Sequence, residues 1–352
     1  MADTDASSKR QYILFVEFSD GYTFRNLIEY LKGTNTSGNL VFTPDRITYS
    51  RPDSMMNILN EFFILKCNLS YYKYNTDAEE IVLGVKMIDI RSITKSIGRK
   101  DSVHLYMYKD DPLLYLKIVS SNTKMMSKNN VSIVRPQTVD RLVYVLPNYL
   151  RDEEDPTCTA SVTDFCRMCT GMNSIKCNYI TIQGYSNRIF FKGIIEGEIA
   201  GRIDNFGEED LMDAGGKILE EMKKQGSSKR SSMGDFERGR EDASSERPSS
   251  ERPSGREDNC NVFKESSERD KEVKPQGKDD ESKKRESSES DSYVEIKVKR
   301  DIIKNLAKLI NLSGGQGVVR LYMEKGMPLK LICNIGAIGV LRIYLRDIKS
   351  SG

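Results

Sequence analysis

One phrase is written twice in this chain. Val103–Leu114 reads VHLYMYKDDPLL, and from Val319 the chain reads VRLYMEKGMPLK, with valine, leucine, tyrosine, methionine, lysine, proline and leucine recurring in register. Each copy alternates apolar and polar residues, breaks at a Lys-x-x-Pro turn and resumes as a second apolar run, which is the pattern of a β-hairpin. A phrase repeated at this distance predicts a duplicated structural unit.

The length of 352 residues predicts about two domains with real cores. Only 38% of the residues are apolar, below the roughly 45–50% of an ordinary globular chain, and the dilution is local. From Gln225 to Ser292 the chain is Ser, Glu, Arg, Lys, Asp and Gly, with SSERP twice in succession at Ser244–Pro248 and Ser249–Pro253. Such a tract cannot bury enough surface to offset its ordering entropy and is predicted to be a disordered insertion. Just before it, Glu208–Lys224 is predicted to form a short exposed helix.

Charge and cysteine exclude several classes. With 54 basic against 52 acidic residues, the whole-chain balance says nothing about partners, so any nucleic-acid signal must lie in the arrangement. The start MADTDASSKRQ has no apolar core of a signal peptide, and no run of about 18 apolar residues predicts a membrane span. Seven cysteines without a secretory signal predict a reduced intracellular protein. Of the clustered Cys158, Cys166, Cys169 and Cys177, only Cys166 and Cys169 have zinc-ligand spacing, and both fall on the apolar side of a helix, so buried thiols and no metal are expected. His104, the single histidine, sits at an alternating strand position. GGQG at Gly314–Gly317 follows a helix and precedes a strand, the wrong order for a phosphate loop, and predicts a tight turn. No catalytic site and no cofactor are expected.

Outside the insertion, a short amphipathic helix followed by strands occurs four times. The helices are predicted at Tyr22–Lys32, Ile88–Ile97, Ser161–Met172 and Lys299–Leu312. The strands are predicted near Asn39–Ser50, Glu61–Asn75, the first hairpin copy and Val131–Thr138. They continue at Asn178–Gln183, Arg188–Lys192, Ile194–Ile203, the second hairpin copy and Gly339–Leu345. The fold class is α+β: two similar domains, each of two helix-plus-antiparallel-strands units.

Stepped at about 100° per residue, the helices carry basic stripes. Arg300, Lys304 and Lys308 lie opposite Ile302, Leu306, Leu309 and Ile310. Arg91, Lys95 and Arg99 oppose Ile90, Ile93 and Ile97. Arg25 and Lys32 share a face diluted by Glu29, and Arg167 stands beside Asp164. Lys100 and Lys176 sit just past the second and third helices. One such stripe is a solvated surface; four in equivalent repeats form a wall suited to phosphate backbones, with salt-sensitive, sequence-independent contact. No recognition helix or aromatic platform for base reading is apparent.

In this order of elements the chain resembles the DNA polymerase sliding clamps of the proliferating cell nuclear antigen type, from about Tyr12 to Ile348 apart from the insertion. The residues that carry the resemblance are the first helix with Arg25 and Lys32, RPDSMMNIL (Arg51–Leu59), IVLGVKMIDIRSITKSIG (Ile81–Gly98), the connector ending VLPN (Val145–Asn148) and MPLKLICNIGAIGVLRIYL (Met327–Leu345). The resemblance implies an N-terminal clamp domain at 1–140, an interdomain connector at 141–157 and a C-terminal clamp domain at 158–348, interrupted by the insertion at about 225–292. It implies a ring of three identical subunits around duplex DNA, helices inside and sheets outside, set on DNA by a clamp loader. Such a ring tethers DNA polymerase and other replication or repair factors, in the nucleus or, for a viral protein, at the viral replication site.

Carried over by position, the DNA-facing set is Arg25, Lys32, Lys95, Arg167 and Lys308, with Arg91, Arg99, Lys100, Lys176, Arg300 and Lys304 as neighbours. A pocket for partner peptides would be lined by Met56, Leu59, Tyr144, Leu146, Pro147, Pro328 and Tyr344. Subunits would meet through Ser132 and Val134 on one edge and Ile199 and Arg202 on the other. The insertion and the basic ending LRDIKSSG depart from the family pattern and point to a divergent clamp, with a viral source among the readings. The rival functions are a checkpoint-type clamp subunit of a heterotrimer, and a clamp-fold viral transcription factor or scaffold that does not encircle DNA.

Overall fold

Every strand pairing in the computed structural model is antiparallel among the described residues, which are 10–120, 130–140, 155–195, 201–207 and 293–348. The first half runs β1 (Tyr12–Phe18), α1 (Gly21–Lys32), β2 (Ser37–Phe42), β3 (Arg46–Pro52), β4 (Ile58–Leu65), β5 (Tyr71–Tyr74), β6 (Ile81–Lys86), α2 (Met87–Thr94), β7 (Ser102–Tyr108), β8 (Asp111–Val119) and β9 (Asn130–Val134). The second half runs β10 (Cys158–Ser161), α3 (Val162–Ser174), β11 (Tyr179–Gly184), β12 (Arg188–Ile194), β13 (Gly201–Gly207), β14 (Val294–Lys299), α4 (Arg300–Leu306), α5 (Leu309–Leu312), β15 (Val318–Tyr322), β16 (Leu329–Ile335) and β17 (Gly339–Leu345).

The duplication read from the repeated phrase is present in the strand pairing. The two copies form β7–β8 and β15–β16. Around them β1 pairs with β7 as β10 pairs with β15, and β2 pairs with β6 as β11 pairs with β14. The meanders β2–β3–β4 and β11–β12–β13 also correspond; β5 has no counterpart among the described residues. The strands assemble into sheets ordered β5-β1-β7-β8-β9, β10-β15-β16-β17-β4-β3-β2-β6 and β13-β12-β11-β14. The middle sheet crosses the two halves: β17 pairs with β4 along its whole length, from Gly339 opposite Ile64 to Leu345 opposite Ile58.

The helices pack as one layer, α1 against α2 and α5, and α3 against α4 and α5. Their apolar faces bury Phe24, Leu27, Leu31, Ile90, Phe165, Met172, Ile302 and Leu306 in the core. Asp20 caps α1 through the Thr23 amide at 2.9 Å, and Ser161 caps α3 through the Asp164 amide at 3.0 Å, the short polar side chains favoured at these positions. The Gly314–Gly317 turn does lie between helix and strand. Gly314, Gly315 and Gly317 all have positive φ, and the Gly315 and Gly317 carbonyls accept from Thr163 Oγ1 and the Val162 amide at the start of α3.

Several predicted boundaries are corrected. The fourth helix is not continuous: α4 ends at Leu306, and two i→i+3 bonds, Lys308 to Asn305 and Asn311 to Lys308, tighten the backbone before and within α5. The second helix stops at Thr94 rather than Ile97. The predicted strand Asn39–Ser50 is two strands around a turn, and Glu61–Asn75 is broken by a short 3₁₀ turn at Lys66–Asn68. The strand predicted at Ile194–Ile203 is divided, since β12 ends at Ile194 and β13 begins at Gly201. The strands β1, β6, β10 and β14 were not separately predicted. Pro112 lies inside β8, ahead of the stretch that pairs with β9, where the ladder tolerates a proline. The predicted helix Glu208–Lys224, the insertion and most of the connector lie outside the described residues.

Candidate nucleic-acid interface and partner pocket

The helix layer presents a graded basic surface. Lys32, Lys95, Arg99, Lys100, Arg167 and Lys304 are exposed, whereas Arg25, Arg91, Arg300 and Lys308 are half-buried. The second group ties the layer together. Arg25 Nη1 donates to the Ile97 carbonyl at 2.7 Å, Arg300 Nη1 donates to the Ile175 carbonyl at 3.2 Å, and Arg91 Nε donates to Glu29 Oε2 at 2.7 Å. Tyr22 underlies both Arg25 and Arg99, with guanidinium carbons 5.6 and 5.7 Å from its ring centre. Arg167 pairs with Asp164 at 3.0 Å on the open surface, a contact worth little by itself.

The halves meet in charge at Glu29. The Arg91 hydrogen bond holds its carboxyl below the usual carboxylate range, and Lys308 and Lys32 reinforce the effect. Lys308 is pushed below the usual lysine range, first by burial; Glu29 opposes the shift, while Lys32, Lys304 and Arg91 add to it. One carboxylate thus meets cations from α1, α2 and the α4–α5 junction, with Lys304 of α4 acting on Lys308 beside it, and the local excess is positive. Close approach at this junction requires Gly33, where a β-carbon would stand 2.1 Å from Asn305 Oδ1.

On another part of the surface, Met56, Leu59, Pro328 and Tyr344 line one cavity of about 480 Å³. Tyr344 stands opposite Leu59 in the β17–β4 ladder. Met56 is the one non-glycine residue with positive φ (56°) among the described residues. Its loop is held by Asp53 Oδ1, which accepts from the Asn57 and Ile58 amides at 2.7 and 3.1 Å. A left-handed methionine at a cavity rim is a local strain of the kind that collects at binding sites. Tyr144, Leu146 and Pro147 lie outside the described residues.

Sequence reasoning missed one wall of this cavity, made by Val294, Glu295 and Ile296 of β14 with Met327, Arg346 and Asp347. The alternation VEIKVK was the available signal, overshadowed by the polar tract just before it. Asp347 Oδ1 accepts from the Lys297 amide at 2.9 Å, fixing β14 against the chain beyond β17.

Ser132 and Val134 lie on β9, the edge of the five-stranded sheet, and Arg202 on β13, the edge of the four-stranded one. Ile199 is outside the described residues. The Arg202 guanidinium is engaged by Asp204 at 2.6 and 3.1 Å and packs against Gly171 of α3. Lys176 is placed apart from the helix stripes, in a cleft with Lys192 and Lys297. His104 is half-buried on β7, 3.8 Å from Glu17, and burial lowers its pKa. Cys158, Cys166, Cys169 and Cys177 are buried, and among the described residues no three His, Cys, Asp or Glu side chains gather as a metal site.

No protein-family model matches the chain, and no curated protein matches it in sequence. Solved structures do match its fold. The proliferating cellular nuclear antigen of Entamoeba histolytica is 14% identical with a TM-score of 0.60, over 96% of this chain and 99% of that one. The PCNA2–PCNA3 complex of Sulfolobus tokodaii gives 12% identity and a TM-score of 0.59, over 95% and 99%. Two halves of matching connectivity, a helix layer and a sheet shared across the halves are therefore the fold that this chain shares with those PCNA structures.

Proposed function

We propose that this protein is a sliding clamp: a ring of three identical chains that encircles duplex DNA and tethers DNA polymerase and other replication or repair factors. The observation that carries the ring is an equivalence between strand edges. β17 and β4 are the last strands of their meanders, and they pair within the chain. Their counterparts in the duplicated halves are β9 and β13, both sheet edges. Pairing β9 of one copy with β13 of the next would repeat the internal seam between subunits and cover edges that otherwise invite aggregation.

In such a ring the helix layer would face the DNA, with the exposed Lys32, Lys95, Arg99, Lys100, Arg167 and Lys304 meeting phosphates without reading sequence. The Met56–Leu59–Pro328–Tyr344 cavity would take apolar and aromatic side chains of partner peptides. The protein would be a binding scaffold with no chemistry of its own, set on DNA by a clamp loader in the nucleus or at a viral replication site.

Light scattering at micromolar concentration should give about three times the 40.0 kDa chain mass. Protein loaded on nicked circular DNA should stay bound until the circle is cut. A stable monomer, assembly only with a different chain, or equal retention on linear DNA would exclude the homotrimeric clamp. The second and third outcomes would correspond to the checkpoint-type subunit and to a factor that does not encircle DNA.

A further inference from the structure

Two methionines stand side by side in the loop at the rim of the Leu59–Tyr344 cavity. Met55 is 63% exposed and Met56 49%. Every other methionine among the described residues is buried or, like Met323 and Met327, half-buried. The loop is braced from within: the Asp53 amide donates to the Ile58 carbonyl at 2.8 Å, and the Met56 amide donates to the Asp53 carbonyl at 3.1 Å. Met55 also has a cation at its sulfur, since Lys299 Nζ donates to Met55 Sδ at 3.0 Å. Lys299 is the last residue of β14, whose Val294–Ile296 stretch walls the same cavity as Met56. The Met55–Lys299 contact therefore joins two segments that line the cavity.

An exposed thioether reacts with hydroperoxides at sulfur. The sulfur lone pair forms a bond to one peroxide oxygen, and the O–O bond breaks. The other oxygen leaves as water or an alcohol, carrying the peroxide's remaining proton. Sulfur is oxidised, the peroxide is reduced, and a flexible apolar side chain becomes a polar one. At Met56 the new oxygen would stand on the cavity rim, where an apolar guest would have to desolvate it. At Met55 it would replace a weak sulfur acceptor with a strong one beside an ammonium, tightening the link to Lys299. Both changes oppose entry of an apolar side chain. We infer that Met55 and Met56 form a peroxide-sensitive modification site, and that their oxidation to sulfoxides weakens binding at the cavity. The loss of binding rests on the cavity being a partner site, as proposed above; the place of oxidation does not.

The test treats the full chain with tert-butyl hydroperoxide and locates the sulfoxides by mass spectrometry. Met55 and Met56 should be oxidised about ten-fold faster than Met323, Met327 and the buried methionines. A fluorescein-labelled synthetic peptide carrying two phenylalanines and a leucine then probes the cavity. Its affinity should fall about five-fold or more on oxidation and return after treatment with methionine sulfoxide reductases A and B. Met55→Leu with Met56→Leu keeps volume and apolar character, so its affinity should not respond to peroxide. Lys299→Ala should lose less affinity on oxidation than the wild type. Sulfoxides spread evenly over the pair, Met323 and Met327 would overturn the proposal, as would equal affinity of the reduced and oxidised wild type. A peptide that fails to bind even the reduced protein would instead remove the partner reading of the cavity, and the oxidation pattern would still decide whether the modification site exists.

Discussion

Leu59 and Tyr344 stand opposite each other in the ladder that joins the two halves, and both line the cavity that Met56 rims. Leu59→Ala should therefore have two effects. It should cost about 2 kcal/mol or more of stability, as truncation of a buried leucine does, and lower affinity for a partner peptide by about 1–2 kcal/mol. Met56→Gly separates them. Glycine adopts the left-handed backbone without strain, so urea stability should hold or rise while peptide affinity falls. Equal affinity for the two proteins would remove Met56 from the binding surface.

The Glu29–Arg91 pair makes stability depend on acid. Its folded carboxyl pKa lies below the ordinary value of 4.5, so its contribution is present above that value and is lost as pH falls through the lowered folded value. Both side chains are about a third exposed or more, which keeps the contribution to about 1 kcal/mol or less. Urea midpoints measured from pH 6 down to pH 3 should fall less steeply for Glu29→Gln than for the wild type. Identical slopes would mean the pair adds nothing to folding.

Thiol reactivity should follow burial. Burial pushes Cys166 up to about 11 and Cys158 and Cys333 up to about 12, so at pH 8 these side chains are protonated as well as shielded. In a Cys260→Ser background, a thiol reagent should label Cys67, which is exposed, within minutes. The buried thiols should react only when urea unfolds the chain. Rapid native labelling of Cys166 or Cys333 would show that the helix layer opens readily.

Replacing 225–292 by a short Gly-Ser linker should leave melting temperature and oligomer mass unchanged. β13 and β14 lie at opposite edges of the four-stranded sheet, and Gly207 and Val294 sit at the same end of it. Three strand spacings separate those edges, about 14 Å, which the remaining residues and a short linker span easily. A drop of more than about 10 °C, or dissociation of the oligomer, would show that the tract packs against the clamp body.

Much of this was legible because it is local. The hairpins β7–β8 and β15–β16 follow from alternation, and the polar faces of the four helices from their periodicity. Four pocket residues came through family resemblance, and all four share one cavity. What stayed hidden depends on pairing between distant segments. Nothing in VEIKVK says that it walls the same cavity as Leu59, and nothing near Lys176 says that strand register brings it beside Lys192 and Lys297. The break between α4 and α5 was equally invisible: Asn305, polar in sequence, is buried and reaches the Tyr30 carbonyl across to α1 at 3.4 Å.

The β17–β4 seam also sets an order of events during synthesis. Ile58–Leu65 leaves the ribosome long before Gly339–Leu345, the strand it must pair with. Until then the eight-stranded sheet is a four-stranded fragment with β4 bare. A nascent chain in that state can recruit β17 from a neighbouring copy as readily as wait for its own, since the two strands are chemically identical. Contacts of this separation form slowly, which makes strand exchange between growing chains the characteristic misassembly of this architecture, and crowding of its messenger the condition that would favour it.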